Sequence, residues 1–353
     1  MDSFQFDREK IYEKLKTSPQ PEGYKGKLPW TVQQQIAATN GIHFKDAIGF
    51  LTEYPIPPIP VEAAKGNKLL LDIGCGWGRW LVASAKKNYV PIGMDLRLEF
   101  CEVGRTVLKD NGFSGYTTVA DLKNPPFQDN VFDVVWSFSV IQHTHYDRLM
   151  SCIGNIQRIL RNDSGYCYLE FPNKNGIHNY FGPAKKYLQT ANDYNSWDVR
   201  YYTPKEYEII FKKFFDNFQY FNHSALGIGV LPNDLKYAQG AKNKAGILLS
   251  RSLSKIFEII TPLKAYSDSI YIKCQKKGSS TDVNEDQLMK FWNAHQNNPE
   301  NNLNIVHLLC CPASKDKVYL SEDGKEIISK KASLAYPIKN ATPIMIVSEA
   351  RAL

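Results

Sequence analysis

Asp72, Asp95 and Asp121 each stand at or near the end of a short apolar run, and the first lies two residues before the alternating glycines Gly74, Gly76 and Gly78. Glycine has no Cβ, so such a turn bends sharply and lets a ligand lie against the main chain. A carboxylate beside it disfavours phosphate and suits a cationic amino group. The dinucleotide spacing G-x-G-x-x-G fails, because position 79 is Arg79, and no Gly-Lys-Ser/Thr follows to make a phosphate loop. Asp95, roughly 20 residues beyond the turn, suits the two hydroxyls of a ribose. At Asp121-Leu122 a carboxylate can accept from an adenine amino group while Leu122 packs on the ring.

These groups need a sheet to hold them. Leu69–Ile73 is a short apolar run around Asp72, the pattern of a strand buried on both faces. Further strands are expected near 90–94, 116–120, 132–137 and 166–171, with helices near 78–88, 97–111 and 146–161. The aspartates then share the carboxyl edge, where open α/β sheets bind ligands. Thr203 to Phe215 reads as another helix, followed by a sixth strand over 218–221 and a seventh over 269–274. Short helices are expected over Asp7–Leu15 and Thr31–Ala38, and Tyr54 to Pro60 is a stiff, extended spacer.

In this order and spacing the chain resembles the class I S-adenosylmethionine-dependent methyltransferases, with the quinone-biosynthesis and small-molecule branch nearest. The resemblance rests on Asp72 with Gly74, Gly76 and Gly78, on Asp95, on Asp121-Leu122, and on Phe132-Asp133-Val134-Val135 with Ser137 to His143 behind it. It continues through Tyr201-Tyr202-Thr203-Pro204 and covers roughly 67–278. It implies a doubly wound, Rossmann-like α/β sheet of seven strands, the last antiparallel. It implies S-adenosyl-L-methionine as cofactor, held by Asp72, Gly74, Cys75, Gly76, Trp77, Gly78, Asp95, Leu96, Ala120, Asp121, Leu122, Ser137 and Phe138. Cys75 reads as a space-filler rather than a nucleophile. Residues 1–66 would fold over the cofactor, with Tyr24 and Trp30 as lid candidates.

The cofactor carries the activated methyl group, so the protein supplies proximity, alignment and exclusion of water. A hydroxyl acceptor benefits from a base. His143 is the first choice, with His145 behind it and His178 as an outsider. Two insertions, 173–200 and 222–267, interrupt the domain. The first carries His178, Tyr180, Phe181, Tyr187, Tyr194 and Trp197, a polar-aromatic loop fit for an acceptor pocket or for plain surface packing. In the second, Ile247 to Ile260 recur at helical spacing among Arg251, Lys255 and Lys264. That helix could lie on an anionic membrane, though covering the core or a dimer contact is the commoner use.

Residues 279–304 are polar and read as a linker, with one helix around Glu285–His295. The tail 305–353 is similar to the small zinc-ribbon-type proteins that activate tRNA and protein methyltransferases, and to their short bacterial relatives. Cys311-Pro312, Leu334-Ala335-Tyr336-Pro337-Ile338, Thr342-Pro343-Ile344 and Glu349-Ala350-Arg351 carry that likeness. The metal set is broken: Cys311 keeps only Cys310 beside it, while Ser314, Ser329 and Ala332 hold the partner positions. The expectation is a small α+β domain without a metal, braced by docking on the sheet.

The charge excess of +7 is local: nine cations and two acids lie between Lys236 and Lys277. Elsewhere the chain is balanced, unlike a general nucleic-acid binder. A small-molecule, glycan or lipid-linked acceptor, methylated at oxygen, is therefore the leading expectation. The alternatives are a tRNA or translation-protein methyltransferase with its activator fused in cis, and a non-enzymatic cofactor-binding scaffold. The seven scattered cysteines, with no apolar leader and no apolar run of about 18 residues, point to a reduced cytoplasmic compartment. The sequence leaves the oligomeric state open.

Overall fold

A computed structural model describes residues 20, 22–24, 26–40, 44, 49, 51–162, 164–181, 199–227, 229–231, 233–238, 240–276 and 285–353. The helix expected over Asp7–Leu15, and Tyr187, Tyr194 and Trp197, lie outside these residues. Seven strands form the main sheet: β1 (Leu69–Ile73), β2 (Val90–Asp95), β3 (Tyr116–Val119), β4 (Val134–Phe138), β5 (Tyr166–Pro172), β6 (Phe215–Ser224) and β7 (Ser269–Lys276). Their order is β3-β2-β1-β4-β5-β7-β6. β1 to β5 pair in parallel and β7 runs antiparallel to both its neighbours, as the resemblance implied. Every residue of β1 is buried, Asp72 included, as expected for a strand covered on both faces.

Two strands start elsewhere than expected, and the ends of several others shift by one or two residues. β4 starts at Val134 because Asp133 turns its carboxylate to the Leu69 N–H (2.9 Å) and to Lys68 (2.7 Å), which ties down the strand's entry. β6 is longer than expected, and its pairing with β7 slips twice, between Asp216 and Gln219 and between Asn222 and Ser224.

Helices α1 (Trp30–Thr39), α2 (Arg79–Ala85), α3 (Leu98–Asp110), α4 (Tyr146–Ile159), α5 (Ile177–Phe181), α6 (Pro204–Phe211), α7 (Asp234–Tyr237), α8 (Ala241–Ile259) and α9 (Glu285–Asn297) flank the sheets. α6 opens with a capping box: Thr203 accepts from the Glu206 N–H and Glu206 accepts from the Thr203 N–H. Side chains alternate across each strand, so the core has two layers. Val135, Leu169 and Ile272 face one layer with Ile153 and Ile156 of α4. Trp136, Phe138, Tyr168 and Tyr271 face the other, with Ile59 and Val61 of the extended spacer. α1 packs Val32 and Ile36 against Trp77 and Leu81, next to the glycine turn. Among the described residues no helix is long and apolar enough to cross a membrane.

Residues 285–304, expected to link, are packed instead. Phe291 of α9 is buried, its ring 5.2 Å from that of Tyr116 in β3. Composition misled here because two buried apolar side chains, Leu288 and Phe291, suffice to seat the helix in a polar stretch. The tail forms a small sheet of β8 (Tyr319–Leu320), β9 (Glu326–Ser329), β10 (Leu334–Lys339), β11 (Thr342–Pro343) and β12 (Arg351–Ala352), in the order β11-β10-β9-β8 with β12 also on β10.

This sheet docks on the β3 edge. Met345 N–H donates to the Val119 carbonyl (2.8 Å), and Thr118 Oγ1 donates to the Pro343 carbonyl (3.0 Å). The Asn302 amide behaves like one residue of a neighbouring strand, accepting from the Thr117 N–H (2.8 Å) and donating to the Thr117 carbonyl (2.9 Å). Arg105 bridges Thr117 and Thr342, each at 2.7 Å. Ile305, Leu308, Tyr336 and Met345 join the same buried cluster as the main sheet.

Candidate active site

The glycine turn between β1 and α2 is built by close approach. Gly74 has φ +72°, and a Cβ there would collide with Val140 in the turn after β4; Gly78 has φ +90°, and its Cβ would lie 2.8 Å from Gly104 Cα. A Cβ at Gly76 would meet nothing within 4 Å, so the crest of the turn faces open space. The Gly74 N–H donates to the Met94 carbonyl (2.8 Å) and the Gly76 N–H to Asp95 Oδ2 (3.0 Å), which ties the turn to the end of β2.

Asp72 lies beneath this turn. It is fully buried, and neither carboxylate oxygen has a hydrogen-bond partner among the described residues. Burial pushes its carboxyl up to about 8; Arg79 offsets part of this and Asp95 adds to it. An unpartnered buried carboxylate is costly unless a ligand completes it. A cationic amino group does so, and the residues therefore fit S-adenosylmethionine. Asp95 is raised to about 6 by burial, against the N–H groups of Gly76, Arg97 and Leu96 that favour its ionised form.

The other expected cofactor residues divide. Ala120 is tied to Asp95 by its N–H (2.9 Å), and Leu96 is exposed beside it. Asp121 is partly exposed, 3.6 Å from Lys123 Nζ, with Leu122 packed on the core. Ser137 Oγ donates to the Ile73 carbonyl (3.2 Å). The Cys75 side chain is buried, facing Gly93, and its thiol is pushed well up by a hydrogen bond with Cys101 and by burial. Trp77 turns its ring away from the crest, buried against the α1 layer with Nε1 on Asn40 (2.9 Å), so only its backbone borders the turn. Phe138 points into the aromatic layer, near Trp80, His223 and Tyr271.

The three histidines lie on two strand ends. His143 ends a short 3-10 turn (Ile141–His143) after β4, and its carbonyl accepts from Arg200 (2.9 Å). His145 caps α4, Nδ1 accepting from the Asp147 N–H at 3.5 Å. His178 of α5 is more than half exposed, 3.9 Å from Asp268. Beside His143, Gln142 is buried with both amide atoms unpartnered among the described residues.

Several groups escaped the sequence reading. Arg79 opens α2, where the helix dipole disfavours a cation; that misplaced charge is the signal that could have found it. Its guanidinium lies 5.0 Å from the centre of the Phe138 ring and 5.2 Å from that of Trp80. It is held below the ordinary arginine range by burial, which Asp234 and Asp72 oppose. Glu170 of β5 is buried and raised, accepting from Ser139 (2.7 Å) and Ser269. The His223 ring lies 4.4 Å from that of Tyr271, tilted by 52°; burial and Arg79 lower it to about 3, so it stays neutral, and its Nε2 is buried without a partner among the described residues. His223, Tyr271, Tyr168, Phe221 and Phe257 line a cavity of about 510 Å³. Phe138 lies between Arg79 and this wall, its ring against the guanidinium on one side and near His223 and Tyr271 on the other.

In the C-terminal module, Cys311 Sγ lies 3.2 Å from Tyr336 Oη. Burial raises this thiol, but the neighbouring hydroxyls of Ser314, Ser329 and Tyr336 outweigh it and bring it to about 7. Among the described residues no group of three His, Cys, Asp or Glu could hold a metal ion.

Comparison with known proteins agrees with this layout. Residues 70–163 match the family described as "Methyltransferase domain", and residues 303–340 match "Trm112p-like protein". Over 49 residues, 14% of the chain, it is 53% identical to a UPF0434 protein of Pseudomonas paraeruginosa and spans 80% of it. A UPF0434 protein of Ehrlichia chaffeensis is 49% identical over 49 residues and spanned for 88% of its length. A solved chain from the complex of the Haloferax volcanii Trm112 methyltransferase activator with a methyltransferase superposes loosely, at 16% identity and TM-score 0.43, over 71% of this chain and 100% of that one. A methyltransferase of Archaeoglobus fulgidus does so at 19% identity and TM-score 0.38, over 61% and 88%. The domain match and the strand order place an S-adenosylmethionine-dependent methyltransferase domain in this chain, and its C-terminal segment belongs to the UPF0434 family and matches the Trm112p-like model.

Proposed function

We propose that the protein methylates an oxygen of a small-molecule acceptor held in the aromatic cavity between the sheet and α8. The observation that carries this is the cavity itself: about 510 Å³, lined by the rings of Tyr168, Phe221, Phe257 and Tyr271 and by the neutral His223. Apolar and aromatic walls with a few polar groups, Asn222, Glu258, Thr261 and Lys264 among them, suit a compact organic acceptor. S-adenosylmethionine supplies an activated methyl group. Asp72 takes its amino end, Asp95 its ribose hydroxyls, and Asp121 with Leu122 its adenine. His143 takes the acceptor's proton, which its place in the turn crossing Gly74 through Val140 favours.

The test uses the methyl-labelled cofactor, the full-length protein and a cell extract, with products separated into small-molecule, RNA and protein fractions. Label should enter the small-molecule fraction. It should fall more than about tenfold in Thr261→Trp, which plugs the cavity mouth, and in His143→Ala, with cofactor binding retained in both. Label in RNA or protein that Thr261→Trp leaves intact would overturn this acceptor class. It would favour a second reading, a tRNA or translation-protein methyltransferase, which the Trm112p-like module supports.

Asp72 also sets an expected pH dependence. Its folded value of about 8 lies above an unfolded value of about 3.9, so the cofactor-free protein takes up a proton on folding. The contribution of this group to stability is full below the unfolded value and declines as pH rises through about 8. The cofactor's ammonium selects the ionised carboxylate, so binding expels the proton. Affinity should rise about tenfold or more from pH 6 to 8. Calorimetry at pH 7 in buffers of different ionisation enthalpy should register close to one proton released. Identical proton release in Asp72→Asn would refute the pairing.

A further inference from the structure

α8 carries a face that the protein does not use. Its inner side is fixed: Ile247 and Phe257 are buried, Ser250 Oγ donates to the Leu226 carbonyl (2.7 Å), and Ser254 Oγ accepts from the Ala225 N–H (2.9 Å). At 3.6 residues per turn the opposite side presents Leu248, Leu249, Ile256 and Ile259, all exposed, Ile259 to 82%. Lys244, Arg251 and Lys255 run along one flank of this stripe and Lys242 lies on the other; Glu258 is the one acid in the helix. The last turn and the residues after it, Phe257, Glu258, Thr261 and Lys264, border the cavity described above.

We propose that α8 lies flat on an anionic bilayer surface, its apolar stripe in the interface and its lysines against lipid phosphates, so that the cavity mouth opens at the membrane. An apolar stripe flanked by cations is the pattern of an interfacial helix. A second copy is the weaker occupant, because a two-fold contact through this face would bring the same lysine flanks together. One consequence rests on the reading of the cavity as the acceptor site: the acceptor is then a molecule that resides in the bilayer.

The test is flotation of the full-length chain with phosphatidylcholine vesicles, with and without phosphatidylglycerol. The wild type should float with the anionic vesicles alone. Lys244→Gln with Lys255→Gln should weaken that partitioning about 30-fold, the loss of two interfacial cations. Leu248→Ser with Ile259→Ser should abolish it, although both side chains are exposed and calorimetric cofactor binding should be unchanged. Equal flotation of all variants, or none of the wild type, overturns the proposal. So does a wild-type dimer in sedimentation that Leu248→Ser with Ile259→Ser splits while vesicles leave it unbound. Cofactor binding without vesicle binding removes this inference and leaves the methyltransferase; vesicle binding with no label in small molecules keeps the surface and removes the acceptor reading.

Discussion

An Asp95→Ala variant should bind S-adenosylmethionine at least about 30-fold more weakly than the wild type. The carboxylate has two duties. One oxygen accepts from the Gly76 N–H at 3.0 Å and the other from the Arg97 N–H at 3.2 Å, which fixes the crest of the glycine turn and the start of α3. In the proposed site the remaining lone pairs accept from two ribose hydroxyls. Hydrogen bonds to a charged group contribute about 1.5–3 kcal/mol each, so losing even the weaker share of two exceeds 2 kcal/mol. Asp95→Asn keeps an acceptor for Gly76 but loses the charge, and should fall between the two. Titration calorimetry decides it, with a thermal melt to show that the variant is folded. An unchanged dissociation constant in a folded Asp95→Ala protein would remove the residue from the cofactor site.

A chain ending at residue 301 should fail to fold as a stable monomer. The missing part supplies the Asn302 amide that pairs with Thr117, and the Ile305, Leu308, Tyr336 and Met345 side chains of the common core. Each large apolar side chain contributes about 1.5–3 kcal/mol on burial. Four of them, with two buried hydrogen bonds, match the whole stability of a typical domain, about 5–15 kcal/mol. Removing them also uncovers β3 as an open edge strand beside Tyr116 and Phe127, which invites self-association. Size-exclusion chromatography and a circular-dichroism melt provide the check. A monomeric truncation that melts cooperatively near the full-length temperature would refute the bracing role. Asn302→Ala in the full chain is the milder probe, with a melting point lowered by a few degrees.

Much of the sheet could be read in advance because its signals are local. Leu69–Ile73 is apolar but for Asp72 since both faces of β1 are covered, and the glycines follow it because the turn packs against Val140 and Gly104. Asp95 and Asp121 were visible for the same reason: each follows its own strand. The cavity wall was not, since His223, Tyr271 and Tyr168 come from three strands and meet only when β7 inserts between β5 and β6. Trp77 looked like a cofactor contact by position, yet its indole finds Asn40, 37 residues away, and turns inward. Composition also hid α9, where a few buried side chains in a polar stretch suffice to seat the helix on Tyr116.

The seam between β3 and the C-terminal sheet lies within one polypeptide. Two separate subunits joined through the same contacts would come apart on dilution, with occupancy set by how much of each a cell makes. A tether of a few residues between Asn297 of α9 and Asn302 holds the partner at millimolar local concentration instead. The ratio is one to one by inheritance, and no titration of one half against the other can tune it.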